Sequence, residues 1–409
     1  MTAALWLFLL LAQAPSYEAA LQAGLEALQR NDLAAARTSL EAAAKMQPDQ
    51  PQAWLGLAQT YWKLHEPRMA ESAAVKAERL ASAKPVVLRA LSIFYAESGN
   101  YEKAAECAAG YASSVRTDAG AYVRAIQLYL QAGKPKPAIE LARAALATEN
   151  RADVRYLLGK AYEMDGRAGE AFREVHAAIK LNPYEESYYF ELARALLEHN
   201  SAPEAIQVLE EGKRVFARSA QIELTLGVAY YSMRRFPDAV DAFLRTIGID
   251  PAVEQPYVFL GRMLEQTGSK LPEVTAAFAA LAEANPENYT ANFLYGKALA
   301  FGGKRNEAEA RLRKSIAENE KFWESHFELG AVLEAKRDLP GAAKEFSRAV
   351  ELSPKSATVH YRLARIYDRL GKTEEARAEH ALHEKLTQEE NAFLRRQAGG
   401  MERLQGESR

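Results

Sequence analysis

The sequence contains little of what cysteine-rich proteins and nucleic-acid-binding proteins require. Its 409 residues include one cysteine, Cys107, and the formal net charge is −2. A single thiol cannot form an internal disulfide, and cysteine-rich metal sites are excluded. We expect Cys107 to be a small buried helical residue rather than a reactive thiol. A net charge near zero means that nothing global attracts nucleic acid or an anionic membrane.

Long apolar runs and β-branched runs are also scarce. Alanine is frequent, which favours helix over sheet. The one apolar run of note opens the chain, MTAALWLFLLLAQAPS, and is too short to span a bilayer. Its apolar core ends in the A-x-A pattern of Ala12-Gln13-Ala14, so we interpret residues 1–16 as a signal-peptide-like segment and predict a periplasmic or secreted protein. The alternative is an apolar first helix that packs on the rest of a cytoplasmic protein.

What the sequence has in abundance is a repeat of about 34 residues. Position 20 of the repeat is alanine in ten of eleven copies, and position 8 is glycine, alanine or serine in all but one. Two helices can cross closely only where side chains are small, so each repeat is predicted to be a helix pair that meets at positions 8 and 20. The repeats begin near Tyr17, Pro51, Pro85, Ala119, Ala152, Glu186, Ala220, Glu254, Tyr289, Trp323 and Ala357.

Turn and breaker residues separate the predicted helices. Segments such as 98–100 (Ser-Gly-Asn) and 165–167 (Asp-Gly-Arg) lie between the two helices of a repeat. Proline at position 32, as in Pro48 and Pro251, ends the second helix because it cannot continue the backbone bonding. The eighth repeat carries one extra residue around Thr267 to Pro272, which predicts a bend in the array.

The pattern resembles the tetratricopeptide repeat family. Its signature, W-x2-L-G-x2-Y followed by A-x3-F and P, is nearly spelled out by Leu226, Gly227, Tyr230, Ala239, Phe243 and Pro251. The resemblance covers residues 17–390 as eleven repeats. It implies an all-α fold, a right-handed α-solenoid of antiparallel helix pairs with a concave groove lined by the first helices. At residues 391–409 we predict a capping helix, opened by the capping box Thr387 to Glu390, and a disordered tail from residue 398.

Positions 5, 9 and 12 share one face of the first helix, which in this family looks into the groove. Position 9 is basic in five of the later repeats and position 5 is aromatic in five. We call these ten residues the ladder and predict that they bind acidic and hydrophobic segments of a protein or peptide partner. The alternative is that the cations pair with acids at position 12 of their own helix and that the aromatic rings pack against the next repeat. The ladder comprises Tyr156, Lys160, Phe190, Arg194, Arg262, Phe293, Lys297, Phe327, Tyr361 and Arg365.

No catalytic motif stands out. The chain has no phosphate loop, no H-E-x-x-H and no G-x-S-x-G, and the repeats leave no segment for a catalytic domain. His380 and His383, three residues apart, offer a metal-site alternative that we rank below solvated or capping histidines. The sequence therefore predicts a non-catalytic interaction scaffold with no cofactor, no metal, no nucleic acid and no membrane span. The alternative is a structural subunit of an envelope secretion or polysaccharide-export assembly, bound through its ends or convex face.

Overall fold

The computed structural model describes residues 16–81, 84–116 and 118–406, with side chains as far as residue 393. Apart from Ser16, the predicted signal-peptide-like segment lies outside these residues. The described residues contain no strand, and their twenty-two α-helices form paired repeats, which confirms the all-α solenoid. The chain divides into two compact units, which we call the N-terminal unit (residues 1–192) and the C-terminal unit (residues 193–409).

The helices alternate between the first and the second helix of a repeat. The first helices are α1 (Tyr17–Gln29), α3 (Pro51–Lys63), α5 (Pro85–Glu97), α7 (Ala119–Gln131), α9 (Ala152–Met164), α11 (Glu186–Glu198), α13 (Ala220–Ser232), α15 (Gln255–Arg262), α17 (Tyr289–Phe301), α19 (Trp323–Ala335) and α21 (Ala357–Arg369). The second helices are α2 (Leu33–Met46), α4 (Pro67–Leu80), α6 (Tyr101–Ser114), α8 (Pro135–Thr148), α10 (Ala168–Leu181), α12 (Ala202–Val215), α14 (Phe236–Ile249), α16 (Leu271–Ala284), α18 (Arg305–Glu318), α20 (Leu339–Leu352) and α22 (Thr373–Gly406).

The observed helix starts agree with the repeat spacing. Each first helix begins at the predicted residue, except that α15 begins at Gln255, one residue later than predicted. Second helices end shortly before the proline at position 32: α2 ends at Met46 before Pro48, and α14 ends at Ile249 before Pro251. The 34-residue spacing is therefore the spacing of the helix pairs.

Small residues at position 8 make room for a large residue at position 24 of the second helix. A Cβ atom added to Gly227 would lie 2.5 Å from Cε1 of Phe243, and one added to Gly24 would lie 2.5 Å from Cγ of Leu40. Position 20 is buried in every repeat. Position 8 was predicted to meet position 20. In these two repeats its nearest side-chain neighbour is instead the large residue at position 24 of the repeat, because the small residue lets that side chain lie against the first helix.

Position 15 has a left-handed backbone in all eleven repeats. Six copies are glycine, such as Gly99 and Gly166, and the predicted turns there are confirmed. Five copies are not glycine, and they include Arg234 with φ 57° and Arg337 with φ 68°. A left-handed residue just after a helix end reverses the chain, and glycine adopts it without the steric cost that a Cβ atom adds.

Side-chain hydrogen bonds join neighbouring repeats. Some of the tyrosines at position 11 donate to the second helix of the preceding repeat, as Tyr61 does to Glu41 (2.9 Å) and Tyr230 does to Glu210 (2.8 Å). A repeat cannot bury its apolar face alone, so it stacks on its neighbours. These hydrogen bonds also help to fix how one repeat is oriented on the next.

The eighth repeat, which carries the extra residue, is irregular. Its first helix, α15, is only 8 residues long, and two 3₁₀ turns, Leu264–Gln266 and Gly268–Lys270, replace the remaining turns. Helix α15 is therefore shorter than the other first helices. Its last carbonyl groups lack the amide partners that further helical turns would supply.

The helix predicted at the C-terminus is part of a longer one. Helix α22 is continuous from Thr373 to Gly406, without a break at Thr387. The Thr387 hydroxyl donates to the carbonyl oxygen of His383 (2.8 Å), a bond inside a helix rather than a cap. Residues 373–406 contain no proline and are rich in good helix formers, so nothing local stops the helix at the predicted cap.

Candidate binding groove

Three ladder residues belong to the N-terminal unit. Tyr156 on α9 stacks on Tyr188 of α11, with ring centroids 4.8 Å apart. The Lys160 ammonium lies 5.3 Å from the centroid of the Tyr156 ring, within cation–π range. Phe190 is half-buried. One face of Tyr156 is therefore used in packing between successive first helices.

Two ladder residues of the C-terminal unit have structural contacts of their own. Arg194 donates to Glu198 of the same helix at 2.5 Å, and both side chains are about half exposed. Phe293 is 9% exposed and meets the ring of Phe322 edge-on at 5.1 Å. Phe293 is therefore mainly a core residue, with little surface to offer a ligand.

The last repeat places its ladder residues beside the histidines of α22. The Arg365 guanidinium lies 5.7 Å from the ring centroid of Tyr361, and that ring lies 5.1 Å from the ring of His383. Tyr361 is 41% exposed. This aromatic and basic patch is separate from the cavity described below.

The two histidines weighed as metal ligands point to different partners. His380 Nε2 lies 2.9 Å from the Asp368 carboxylate, and His383 Nδ1 lies 3.0 Å from the carbonyl oxygen of Ala357. A neutral or charged ring nitrogen beside a carbonyl must donate, so the Nδ1 of His383 carries a proton. Among the described residues, no group of three His, Cys, Asp or Glu side chains is arranged to hold a metal ion.

The structure brings three ladder residues, Arg262, Lys297 and Phe327, around one cavity of about 610 Å³ in the C-terminal unit. We call it the groove cavity. Residues of α15, α17 and α19 line it, together with the 3₁₀ turn that follows α15, one residue of α18 and one of α21. Its walls include the apolar side chains of Leu264 and Phe301. The charged residues that line it are Arg262, Glu265, Lys297, Arg305, Glu328 and Arg362.

The short helix α15 shapes this cavity. Because the helix ends at Arg262, the carbonyl oxygen of Gly261 is free to accept a hydrogen bond from the Lys297 ammonium at 3.2 Å. The ammonium also lies 3.8 Å from the Glu328 carboxylate. Lys297 thus connects α17 to the end of α15 and to α19. The end of the short helix α15 lines the groove cavity.

Glu328 is the most confined charged group of the groove cavity. Burial raises the pKa of its carboxyl group, since the ionised form loses hydration, while Lys297 and Arg362 act in the opposite direction. Arg262, by contrast, is exposed and forms no ion pair with any described residue. The lining has four cations and two carboxylates, and one of the cations, Arg362, also pairs with Glu334 outside the lining.

Acids at position 12 were considered as partners of the cations on their own helices. Glu334 instead accepts from two arginines of the next repeat, Arg362 at 3.1 Å and Arg369 at 2.8 Å. Its side chain is only 14% exposed. The acid therefore joins α19 to α21; its own helix has Ala331 at position 9 and so offers no cation there.

Glu328 and Arg362 were missed because both stand at position 6, which was not assigned to the groove. Position 6 is glycine, alanine or an uncharged residue in most repeats, and it carries charge in only four. A charged residue at a position that is otherwise small or apolar was the available signal. Whether a charged residue at position 6 lines a cavity depends on how the neighbouring repeat packs, and the periodicity does not specify that packing.

Comparison with family models supports the repeat assignment. Two models described as tetratricopeptide repeat match residues 21–86 and 296–357, and residues 333–390. A model described as bacterial transcriptional activator domain matches residues 124–231. A comparison with curated proteins found no match.

Solved structures with similar folds share little sequence with the chain. The C-terminal part of a tetratricopeptide repeat-containing protein from Cytophaga hutchinsonii is 17% identical with a TM-score of 0.44, over 66% of this chain and 98% of that one. Yeast Tom70 is 13% identical with a TM-score of 0.38, over 95% and 96%. MamA from Desulfovibrio magneticus is 20% identical with a TM-score of 0.36, over 42% and 96%.

The described residues contain no helix that is long and apolar enough to cross a membrane. Repeats of this kind support protein-interaction scaffolds and are generally non-catalytic. With eleven helix pairs at the repeat spacing in the described residues and family-model matches at residues 21–86 and 296–390, the chain is built from tetratricopeptide repeats.

Proposed function

We propose that the C-terminal unit binds an extended segment of a partner protein, one that carries acidic and apolar side chains, in the groove cavity. The observation behind the proposal is a cavity of about 610 Å³ lined by four cations and two carboxylates, in which Arg262 forms no ion pair with a described residue. Aspartate and glutamate are the side chains that gain most from such a site, because charge-assisted hydrogen bonds are the stronger ones.

The groove cavity also has apolar walls, which the apolar side chains of the proposed partner segment would contact. Phe301 is 50% exposed and Phe327 is half-buried, so both rings keep surface for a ligand. The Arg362 guanidinium lies 6.0 Å from the Phe327 ring, which places a cation next to that aromatic surface. Binding energy at interfaces is concentrated in aromatic and arginine anchors of this kind.

Part of the ladder lines the groove cavity. Arg262, Lys297 and Phe327 are the residues we propose to contact the partner, together with Glu328 and Arg362. Lys160, Arg194 and Phe293 lie outside this lining and have contacts within the fold. Tyr361 and Arg365 offer an additional patch near the last helix.

The test is a binding assay with a defined peptide set on the full chain. Successive first helices lie roughly 9–10 Å apart, so labelled peptides of about ten residues cross three of them when extended. One peptide alternates acidic with Leu or Phe residues, a second replaces the acids with lysine, and a third replaces the apolar residues with serine. We expect the first peptide to bind most tightly in fluorescence polarisation.

The matched variants are Arg262→Glu and Lys344→Glu. Arg262 lines the groove cavity, whereas Lys344 is exposed on the second helix α20 and does not line it. We expect Arg262→Glu to weaken binding about tenfold or more and Lys344→Glu to leave it unchanged. Equal binding by both variants would place the contact on the ends or the convex face, as in the alternative of a structural subunit.

We also propose that the protein is exported, on the basis of the apolar segment and A-x-A pattern at residues 1–16. Cell fractionation followed by N-terminal sequencing tests this. A mature N-terminus near residue 15 in the envelope fraction supports export. An intact N-terminus in the cytoplasm contradicts it and leaves the binding proposal untouched.

A further inference from the structure

A second cavity, of about 290 Å³, lies in the N-terminal unit. It is lined by residues of α5, α6 and the beginning of α7, and none of them belongs to the ladder. Two arginines face it, Arg89 on α5 and Arg124 on α7. Both side chains are exposed, and neither forms an ion pair with a described residue.

A buried hydroxyl lies at the same cavity. Ser92 is 5% exposed and lines the cavity, yet its hydroxyl has no hydrogen-bond partner in the described part of the chain. Serine in a helix can bond to the carbonyl four residues earlier, so an unbonded hydroxyl that lines a cavity is available to a ligand. Ser92 occupies position 8 of its repeat, where Ala58 and Ala193 stand in two other repeats and pack without a hydroxyl.

The beginning of α7 completes the set of donors. Asp118 caps this helix by accepting from the amide of Ala121 at 3.2 Å, and the cavity includes Gly120 in the first turn. The first amides of a helix point outward and have no partner within the helix, which favours an anion there. Asp118 is the one carboxylate lining the cavity, so the two guanidinium groups leave an excess of one positive charge.

We propose that this cavity binds a phosphate group through Arg89, Ser92 and Arg124. Two guanidinium groups and a hydroxyl supply donors from different directions, which suits a tetrahedral oxyanion with several acceptor oxygens. The cavity also contains the Tyr111 ring, 6.0 Å from the Arg89 guanidinium, so a part of the molecule carrying the phosphate has an apolar surface to rest on. The site does not depend on the proposed function of the groove cavity.

The experiment is isothermal titration calorimetry of the full chain with three probes. These are inorganic phosphate, a short peptide with one phosphoserine, and the same peptide with serine. We expect phosphate to bind, and acetate at equal concentration to compete poorly. A peptide preference that depends on the phosphate indicates a phosphorylated protein segment as the source, whereas equal binding of free phosphate indicates a small molecule.

Three variants make the test specific. Ser92→Ala is expected to weaken binding about three- to tenfold and to fold normally, since alanine stands at this position in other repeats. Arg89→Gln is expected to weaken it about tenfold or more. Arg68→Gln removes an exposed charge on α4, outside the cavity, and should have no effect.

Some outcomes overturn the proposal. They are the absence of phosphate binding to a folded chain, binding that Ser92→Ala and Arg89→Gln leave unchanged, and acetate that competes as well as phosphate. Far-ultraviolet circular dichroism of each variant confirms that a lost signal reflects the site and not the fold.

Discussion

Glu223 is a buried carboxylate whose removal is expected to destabilise the fold strongly. It stands at position 4 of α13 and is 2% exposed. Its carboxylate accepts from the Lys213 ammonium at 2.8 Å and from the Arg245 guanidinium at 2.9 Å. Lys213 is on α12 and Arg245 is on α14, so one buried carboxylate joins three successive helices.

The magnitude follows from what Glu223→Ala leaves behind. Removing one partner of a buried ion pair costs about 3–5 kcal/mol, mainly because the remaining charge is left unpaired. Here the two cations keep 29% and 43% of their side-chain exposure and can regain some hydration. We therefore expect a loss near the lower end, about 3 kcal/mol in the free energy of unfolding.

The matched control is Glu198→Ala. Glu198 pairs with Arg194 on the solvent side, with 56% and 46% of the side chains exposed, so its loss should cost at most about 0.5 kcal/mol. Because a repeat array need not unfold in one step, native-state hydrogen exchange at the amides of α12 to α14 is the assay. Equal protection of these helices in both variants would refute the reasoning.

Other predictions test the repeat itself. Arg234→Gly should stabilise the protein by about 0.5–1 kcal/mol in urea unfolding, because glycine relieves a left-handed backbone; no gain would mean the arginine is unstrained. Tyr230→Phe should cost about 1 kcal/mol by loss of one hydrogen bond to the preceding repeat, against no change if water replaces it. Gly227→Ala should cost about 1–3 kcal/mol because the new methyl group meets Phe243 at 2.5 Å, and a crystal structure would show the ring displaced. Burial raises the pKa of the Cys107 thiol to about 12, so it should stay protonated at pH 8 and react with a thiol reagent only on unfolding; rapid labelling of the native protein would contradict this.

Local signals in the sequence were enough to determine the helix pairs. Alanine at position 20, a turn residue at position 15 and proline at position 32 act within one repeat, and eleven copies reinforce one another. The helix starts, the turns at Gly99 and Gly166 and the burial of Cys107 follow from these signals. The continuous helix α22 was not predicted, because the capping pattern at Thr387 has no neighbouring repeat to stop the helix there.

The tertiary structure alone decided which ladder residues meet. Arg262 and Lys297 lie 35 residues apart and reach one cavity because α15 ends early and frees the Gly261 carbonyl oxygen. Phe293, on the same helix as Lys297, is buried against the ring of Phe322, which follows α18 in the chain. Periodicity specifies the face of a helix, but whether a side chain on that face is covered, paired or open depends on the next repeat. For that reason the sequence determined the scaffold of this protein, and the packing of one repeat on another determined where a ligand has room to bind.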